Sequence, residues 1–344
     1  MSEPGAVGVV RAGTIREAAT VEDLLAGATD RRPMKTADSL SGSHFERAVI
    51  EGRRYVVKYL CIDDDWIMRA TGDMCCRQLQ LWRSSIPSRF PAEIDHAVAG
   101  FAVERSPSGR VSGVLLLRDV GEHLVMEGGD PLSAQQEHHF LTHMAALHAA
   151  FWGWRDSLGL MPLSHHYVAL TPIMAALEAA GGGNDPVPPL VRRGWERLPE
   201  RAPRAAPLLA ELAHDPWPLV AALEETPATL IHADWKLGNL GAHPDGRTIL
   251  LDWDRCGRGA ACMDLAWYLA VNCDRLPHTK EEAIEGYRAS LEAAGVETGG
   301  WFERQLGLAL VGALLQLGWT KTDGDAAELR WWENRAMDAQ HHLR

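Results

Sequence analysis

The sequence predicts an α+β protein, with strands in its first third and mostly helices in the remainder. Two hairpin patterns, at residues 40–60 and 98–120, place apolar segments on either side of turn sequences. From residue 133 onward, apolar residues recur at helical spacing instead. A group of strands followed by a group of helices is typical of the α+β class.

Composition limits the partners of the chain. Its 344 residues are 46% hydrophobic, which is enough for two lobes with substantial cores. The formal net charge is −12, and no basic patch is visible. Because nucleic-acid binders usually carry such a patch, we expect no nucleic-acid partner. The acidic charge suits a cationic substrate such as an amine, although it is equally the ordinary charge of a soluble protein.

The cysteines and the apolar segments predict the compartment. Six cysteines occur without a C-x-x-C pair, and the adjacent Cys75 and Cys76 have poor spacing for a disulfide or a zinc site. We therefore expect a reduced, cytoplasmic protein. The N-terminus lacks the apolar core of a signal peptide, and no run approaches about eighteen apolar residues, so we expect no membrane partner.

The strand-rich part begins with an extension and a hairpin. The extension, residues 1–35, contains one short helical pattern that Thr20 can cap. The hairpin turns at Glu51-Gly52, and Lys58 lies on its second strand.

A helix and a second hairpin follow. An acidic run, which favours a helix N-terminus, opens a helical pattern that we expect over residues 63–82. Apolar segments at 98–105 and 111–120 flank a Ser-Pro-Ser-Gly turn and predict two paired strands. The pattern changes from strands to helices after residue 120, where we place a domain boundary.

The helical part begins at Ser133, where Gln136 completes a capping-box pattern. The Gly- and Pro-rich residues 181–189 separate two helical segments and form either a lid or a surface linker. A strongly apolar pattern at 304–319 predicts a core helix, and the last helix is expected over 326–341.

The clearest chemistry lies in the centre of the helical part. A polar loop contains Asp234, Lys236 and Asn239, and an Asp-Gly turn and an apolar strand then lead to Asp252. Asp-Gly between apolar runs is a strong hairpin signal, and a hairpin brings Asn239 and Asp252 together.

These residue types suit phosphoryl transfer. Asn239 and Asp252 offer the oxygens that Mg²⁺ prefers alongside phosphate and water. Asp234 can accept the proton of an attacking hydroxyl, and Lys236 places a cation where phosphate charge develops. The alternative is that Asp234 and Asn239 are ordinary turn residues.

The pattern His232-x-Asp234-x-x-x-x-Asn239, followed by a strand and Leu-Asp252-Trp, resembles the catalytic and metal motifs of the aminoglycoside phosphotransferase and choline kinase group. These small-molecule kinases have a protein-kinase-like fold, with a small strand-rich lobe and a larger helical lobe. The resemblance implies transfer of a phosphoryl group from ATP, with Mg²⁺, to a hydroxyl of a small molecule. The Lys236 position also resembles eukaryotic protein kinases, where the lysine contacts the transferred phosphate.

The resemblance divides the chain into a nucleotide-binding lobe, residues 1–120, and a lobe with the catalytic loop and the acceptor site, residues 121–344. In the first lobe, the loop Ser41-Gly42-Ser43 would cover the nucleotide phosphates. Lys58 would bind the α- and β-phosphates, the alternative being an exposed lysine at a strand end. Backbone groups near Leu117 and Asp119 would meet the adenine.

One position departs from the family pattern. The family pairs its nucleotide-binding lysine with an acidic residue on the following helix. This chain has Asp73 and then Arg77-Gln78 there. Either Asp73 is the partner of Lys58, or Lys58 has no carboxylate partner.

Further residues take supporting or acceptor roles. Asp264, in a D-L-A sequence, matches the aspartate that braces the family's catalytic loop, and His148 is expected to be structural. Asp254 could hold a second metal ion or contact the acceptor. The last candidates, on the final helix, could contact the acceptor or pack in the core: Trp331, Trp332 and Glu333.

The acceptor is predicted to be an aminosugar or an aminoglycoside, with choline-like amines and other small alcohols as alternatives. The missing acidic partner of Lys58 favours a non-catalytic nucleotide-binding module, whereas the intact Asp234, Asn239 and Asp252 favour an enzyme. A protein kinase is disfavoured because no A-P-E sequence follows Asp254. A hydrolase is disfavoured because no G-x-S-x-G sequence occurs.

Overall fold

The computed structural model of the chain describes residues 15–34 and 42–343. The strands in these ranges are β1 (Arg16–Ala18), β2 (Thr29–Met34), β3 (His44–Ile50), β4 (Arg53–Cys61), β5 (Ile94–Asp95), β6 (Val98–Arg105), β7 (Val111–Arg118), β8 (Ala228–Ile231), β9 (Leu240–Ala242), β10 (Thr248–Leu250) and β11 (Gly257–Ala260). The helices are α1 (Val21–Leu24), α2 (Trp66–Ala70), α3 (Arg77–Arg83), α4 (Ala134–Ala150), α5 (Leu163–Val168), α6 (Pro172–Ala180), α7 (Val187–Arg201), α8 (Ala206–His214), α9 (Trp217–Glu224), α10 (Cys262–Val271), α11 (Lys280–Ala293), α12 (Phe302–Leu317) and α13 (Ala326–Ala339).

The first part of the chain is built on a six-stranded sheet in the order β1-β6-β7-β4-β3-β2. Both predicted hairpins are confirmed, because β3 pairs with β4 and β6 pairs with β7, each antiparallel. Glu51 and Gly52 take positive φ values of 50° and 75° in the first turn, the backbone that tight hairpins prefer. Lys58 lies in the middle of the sheet, opposite Phe45 and Leu115.

The described part of the N-terminal extension, residues 15–34, packs on this sheet. The predicted cap of α1 is confirmed, since the Thr20 side chain accepts a hydrogen bond from the backbone N–H of Asp23. Leu24 and Leu25 pack with Val57 and Val114 in a small apolar core, and β1 pairs in parallel with β6. Residues 15–34 of the extension are therefore part of the folded first half.

The predicted helix over 63–82 is wrong as a single element, because α2 and α3 are separate. Gly72 has a φ of 62°, which ends the helical path after α2. The Asp73 carboxylate then accepts hydrogen bonds from the backbone N–H groups of Cys75 and Arg77. Asp73 thus serves as a local cap at the start of α3.

The second part of the chain is mostly helical, which confirms the predicted fold class. Helix α4 begins with the predicted capping box, in which Ser133 and Gln136 exchange both hydrogen bonds. Helix α12 is buried along nearly its whole length, as its apolar sequence predicted, and it packs between α10 and α13. The boundary near residue 120 stays a prediction.

Two small sheets flank the central loop. Strand β10 pairs with β9 through the predicted Asp-Gly hairpin and with β5 on its other side. Residues 257–260 form β11, which pairs with β8. A Cβ on Gly257 would lie 2.4 Å from the carbonyl oxygen of Met161, so glycine permits this close packing.

The described residues contain no helix that is both long and apolar enough to cross a bilayer. All six cysteines lie in the described ranges and are free thiols.

Candidate active site

The hairpin β9–β10 brings the two proposed magnesium ligands together. The backbone N–H of Leu251 donates to the carbonyl oxygen of Asn239 at 2.9 Å, so Asp252 follows directly beside Asn239. Asp252 has a φ of 65°, a left-handed conformation that costs free energy for a non-glycine residue. The surrounding contacts therefore hold Asp252 in a specific position.

Both carboxylate oxygens of Asp234 have partners. Oδ2 accepts a hydrogen bond of 2.8 Å from Nδ2 of Asn239, and Oδ1 accepts one of 2.9 Å from Nε1 of Trp267. The ammonium of Lys236 lies 3.7 Å from Oδ2. A loop carboxylate is thus fixed beside a cation and beside the hairpin that carries Asp252.

The orientation of the Asn239 amide follows from these contacts. Its nitrogen donates to the Asp234 backbone carbonyl at 3.0 Å and to the Asp234 carboxylate at 2.8 Å. Only the nitrogen of an amide can donate to two acceptors, so the side-chain oxygen of Asn239 is directed to other partners. An oxygen in this position suits Mg²⁺.

Lys58 is buried and pairs with Asp252. Both expectations for its partner are therefore wrong, because the partner is not Asp73 and Lys58 does have a carboxylate partner. The two side chains approach to 2.5 Å, and Lys58 is 4% exposed. Burial would lower the pKa of Lys58, but Asp252 and Asp254 outweigh burial and raise it. Asp73 is unavailable because it caps α3.

Asp254 adds a carboxyl group to this cluster. Its Oδ1 is buried without a hydrogen-bond partner among the described residues. Burial and the neighbouring Asp252 raise the pKa of Asp254 well above its usual range. A cation bound beside Asp252 and Asp254 would offset this repulsion and favour the charged form of Asp254.

The described residues include no group of three His, Cys, Asp or Glu side chains placed to hold a metal ion. Magnesium commonly takes one or two protein ligands and completes its shell with phosphate oxygens and water. The oxygens of Asn239 and Asp252 fit that kind of binding.

Helix α10 braces the loop at its start through Asp264. The Asp264 carboxylate accepts hydrogen bonds from the backbone N–H groups of His232, at 2.8 Å, and Ala233, at 2.6 Å. It also contacts Nε2 of His148 at 3.0 Å. These contacts match the bracing role that the resemblance implied for Asp264 and the structural role expected for His148.

The same helix braces the loop again through Asn272, at the C-terminal end of α10. The Asn272 side-chain oxygen accepts from the backbone N–H of Leu237 at 2.9 Å, and its nitrogen donates to the carbonyl of Trp235. Sequence reasoning missed Asn272 and Trp267. Nothing in the local sequence around either residue marks this role, because it depends on how α10 packs against the loop.

The phosphate loop of the sequence prediction is described only in part, since Ser41 lies outside the described residues. A Cβ on Gly42 would lie 2.2 Å from the carbonyl oxygen of Asp64, so only glycine fits there. The Ser43 hydroxyl donates to the Asp65 carboxylate at 2.7 Å. Asp65 is also among the carboxylates that raise the pKa of Lys58.

The predicted adenine-contacting residues lie at the end of β7. Leu117 is opposite Val56, two positions before Lys58 on β4. The backbone N–H of Asp119 donates to the carbonyl of Arg54 at 3.2 Å. One of the main-chain groups expected to meet adenine is therefore engaged within the protein.

The three acceptor candidates on α13 have partners of their own. Trp331 and Trp332 donate their indole N–H groups to Glu281 and Glu328. Glu333 accepts from the backbone N–H groups of residues 204 and 205 at the start of α8. These contacts engage the three side chains within the protein, and their role toward an acceptor stays a prediction.

Residues 181–186 connect the two parts of the chain. The Arg69 guanidinium on α2 donates to Glu178 of α6 at 2.9–3.1 Å and to Asp185 at 3.0 Å. Asp185 Oδ1 lies within 3.0 Å of where a Cβ of Gly42 would be. This segment is therefore held next to the loop that contains Gly42 and Ser43.

The strand-rich first part, the helical second part and the loop around Asp234 agree with the architecture expected of a phosphotransferase. The sequence profile of the APH phosphotransferase enzyme family matches residues 91–302, well over half of the chain. The chain belongs to this family, which confirms the resemblance. The match includes the loop with Asp234 and the strand end with Asp252, whereas Lys58 precedes it.

Solved structures similar to this chain include three small-molecule kinases. A microcompartment-associated aminopropanol kinase is 16% identical, with 92% of each chain covered and a TM-score of 0.44. The choline kinase LicA from Streptococcus pneumoniae is 12% identical, with 94% and 95% covered and a TM-score of 0.47. A thermostable aminoglycoside phosphotransferase mutant, APH(4)-Ia with ADP and hygromycin B, is 14% identical, with 93% and 96% covered and a TM-score of 0.46. No curated protein matches the chain by sequence.

Proposed function

We propose that this protein transfers the γ-phosphoryl group of ATP to a hydroxyl group of a small molecule, with Mg²⁺ as cofactor. The observation that supports this most is the fixed carboxylate of Asp234, which lies beside Lys236 and is hydrogen-bonded to Asn239. Phosphoryl transfer depends mainly on positioning and on charge stabilisation, and this arrangement offers both.

Asp234 would orient the acceptor hydroxyl and accept its proton. Each carboxylate oxygen has lone pairs beyond those used by Trp267 and Asn239, so a hydroxyl can still bind there. Lys236 would place its ammonium against the phosphoryl group in transfer. The membership of the chain in a phosphotransferase family is consistent with both roles.

Lys58 would bind the nucleotide phosphates. Asn239 and Asp252 would hold Mg²⁺, which supplies positive charge to those phosphates when it is bound. Asp254 would hold a second metal ion or bind a positively charged group of the acceptor. Its unpartnered oxygen supports either role.

The proposed acceptor is an aminosugar or an aminoglycoside. The carboxyl group of Asp254 suits an ammonium group, and the net charge of −12 attracts cations in general. Choline-like amines remain the alternative acceptors, since they share the ammonium group and the hydroxyl. The alternative of a non-catalytic nucleotide-binding module depended on Lys58 having no acidic partner. Asp252 is that partner, so this alternative is disfavoured.

The test is ADP release from Mg·ATP in the presence of amines, aminosugars, sugars and aminoglycosides. We expect turnover with one acceptor class, and none when Asp234→Ala replaces the wild type. Asp338→Ala, which changes an exposed aspartate on α13, is the matched control and should retain full activity. Full activity of Asp234→Ala would overturn the assignment. Absence of turnover together with nucleotide-dependent stabilisation would favour the non-catalytic module.

A further inference from the structure

Trp267 makes a contact with the proposed catalytic base that the mechanism above does not use. Its indole N–H donates to Oδ1 of Asp234 at 2.9 Å. Trp267 and Asp234 are 6% and 7% exposed, so little water reaches this hydrogen bond. If the indole N–H were removed, the buried oxygen would lose a donor that water replaces poorly.

Trp267 is itself held by a buried arginine. The guanidinium centre of Arg255 lies 4.2 Å from the centre of the Trp267 ring. Arg255 also donates to the side-chain oxygen of Gln316 on α12 at 2.8 Å. A cation over the face of an indole is attracted by the ring, and it polarises the N–H at the ring edge into a better donor.

The charge of Arg255 also bears on Asp234. Burial lowers the pKa of Arg255, and Asp234 is the first of several carboxylates that oppose this shift. A series of contacts therefore joins the core helix α12 to the catalytic loop, through Gln316, Arg255 and Trp267. Every link is a hydrogen bond or a ring contact between buried side chains.

We propose that Trp267, supported by Arg255, is a positioning residue that fixes the carboxylate of Asp234 for phosphoryl transfer. The inference rests on the proposed role of Asp234. Asn239 holds one oxygen of Asp234 and Trp267 holds the other, so loss of the indole N–H leaves the carboxylate held at one oxygen only. A misoriented base lowers the rate of the chemical step and leaves nucleotide binding intact.

The first experiment compares Trp267→Phe with Trp195→Phe. Phenylalanine keeps an aromatic ring under Arg255 but removes the N–H. Trp195 is the matched control, a buried indole on α7 that donates to the carbonyl of Leu170 at 3.0 Å. We expect kcat of Trp267→Phe to fall on the order of tenfold to a hundredfold, with Kd for Mg·ATP within about twofold of wild type. Equal kcat values for the two variants would overturn the proposal.

The second measurement separates positioning from general damage. In an Asp234→Asn background, Trp267→Phe should cause almost no further loss of kcat, because residues that act as a unit are not additive. A loss of the same size in both backgrounds would show that Trp267 acts independently of Asp234.

A third measurement does not depend on turnover. The indole N–H resonance that disappears in the nitrogen-15 spectrum of Trp267→Phe belongs to Trp267. We expect that resonance to shift and to lose protection from exchange in Asp234→Ala, while the resonance of Trp195 stays in place. An unchanged Trp267 resonance would overturn the positioning role. If the wild type phosphorylated no acceptor, the proposed function would fail. The spectrum would still show whether the Trp267 indole donates to Asp234.

Discussion

The ammonium nitrogen of Lys58 lies 2.5 Å from a carboxylate oxygen of Asp252, so the proposed nucleotide-binding lysine and the proposed metal ligand neutralise each other. A ligand that takes only one of them leaves the other charge unpaired in a largely buried site. Leaving a buried charge unpaired is costly. Nucleotide phosphates with Mg²⁺ offer a new partner to both residues at once.

The first prediction is therefore that Mg²⁺ and ATP stabilise the protein together and only weakly apart. Mg·ATP at about one hundred times its Kd should add about 2.7 kcal/mol to the free energy of unfolding. Melting temperature with Mg²⁺, with ATP plus a chelator, and with both measures this effect. Lys58→Met should abolish the joint effect, whereas Lys280→Met should retain it. An equal rise with ATP alone would contradict the prediction.

The second prediction concerns Asp264. Replacement by alanine leaves the buried backbone N–H groups of His232 and Ala233 without their acceptor, and it removes the partner of His148. We expect a loss of about 3–5 kcal/mol in the free energy of unfolding, measured in urea. Asp264→Asn, which keeps one acceptor oxygen, should lose less stability but still lower kcat. Stability of Asp264→Ala close to that of Asp338→Ala would refute the bracing role.

The third prediction concerns the ion pair between Arg69 and Glu178. A double-mutant cycle with Arg69→Met and Glu178→Gln should give a coupling free energy of about 1–3 kcal/mol, because Glu178 is largely buried. The exposed pair Arg192–Glu196 on α7 is the control and should give about 0.5 kcal/mol or less. Arg69→Met should also speed hydrogen exchange in residues 181–186. Coupling no larger than in the control pair would show that Arg69 does not fasten this segment.

The fourth prediction concerns acid stability. Burial lowers the pKa of His96 and of His143 to about 4, against 6.5 for a free histidine. As pH falls from 7 to 5, the unfolded chain therefore gains protons at these residues and the folded chain does not, so stability falls. Each histidine should cost about 2 kcal/mol over this range.

Urea unfolding at pH 7 and pH 5 measures this loss. His143→Gln should reduce the difference between the two pH values, since glutamine can still bond the Thr248 hydroxyl that His143 contacts at 2.8 Å. The exposed His214→Gln should leave the difference unchanged. An equal pH dependence in all three proteins would disprove the assignment to His143.

The sequence predicted the parts of the site that depend on neighbouring residues. Asn239 and Asp252 are joined by one short hairpin, and the Asp-Gly turn that closes it is visible in the sequence. The capping box at Ser133 was predictable for the same reason, since its partner is three residues away. Local backbone chemistry determines both features.

Contacts between distant segments were harder to predict. The partner of Lys58 was sought on the next helix, but Asp252 lies 194 positions away. Trp267 and Asn272 carry no local signal, because their role depends on how α10 packs against the loop. The tryptophans of α13 show a related limit, since aromatic composition alone does not distinguish a binding pocket from a packed core, and their acceptor role stays a prediction.

The cover formed by residues 15–34 has a consequence for solubility. Leu24 and Leu25 shield Val57, Val114 and Leu116, and β1 occupies the outer edge of β6. A shortened protein that began near residue 40 would expose both this apolar face and a free strand edge. Exposed edges and apolar faces pair with other copies, so such a protein would tend to aggregate even though every proposed catalytic residue was present.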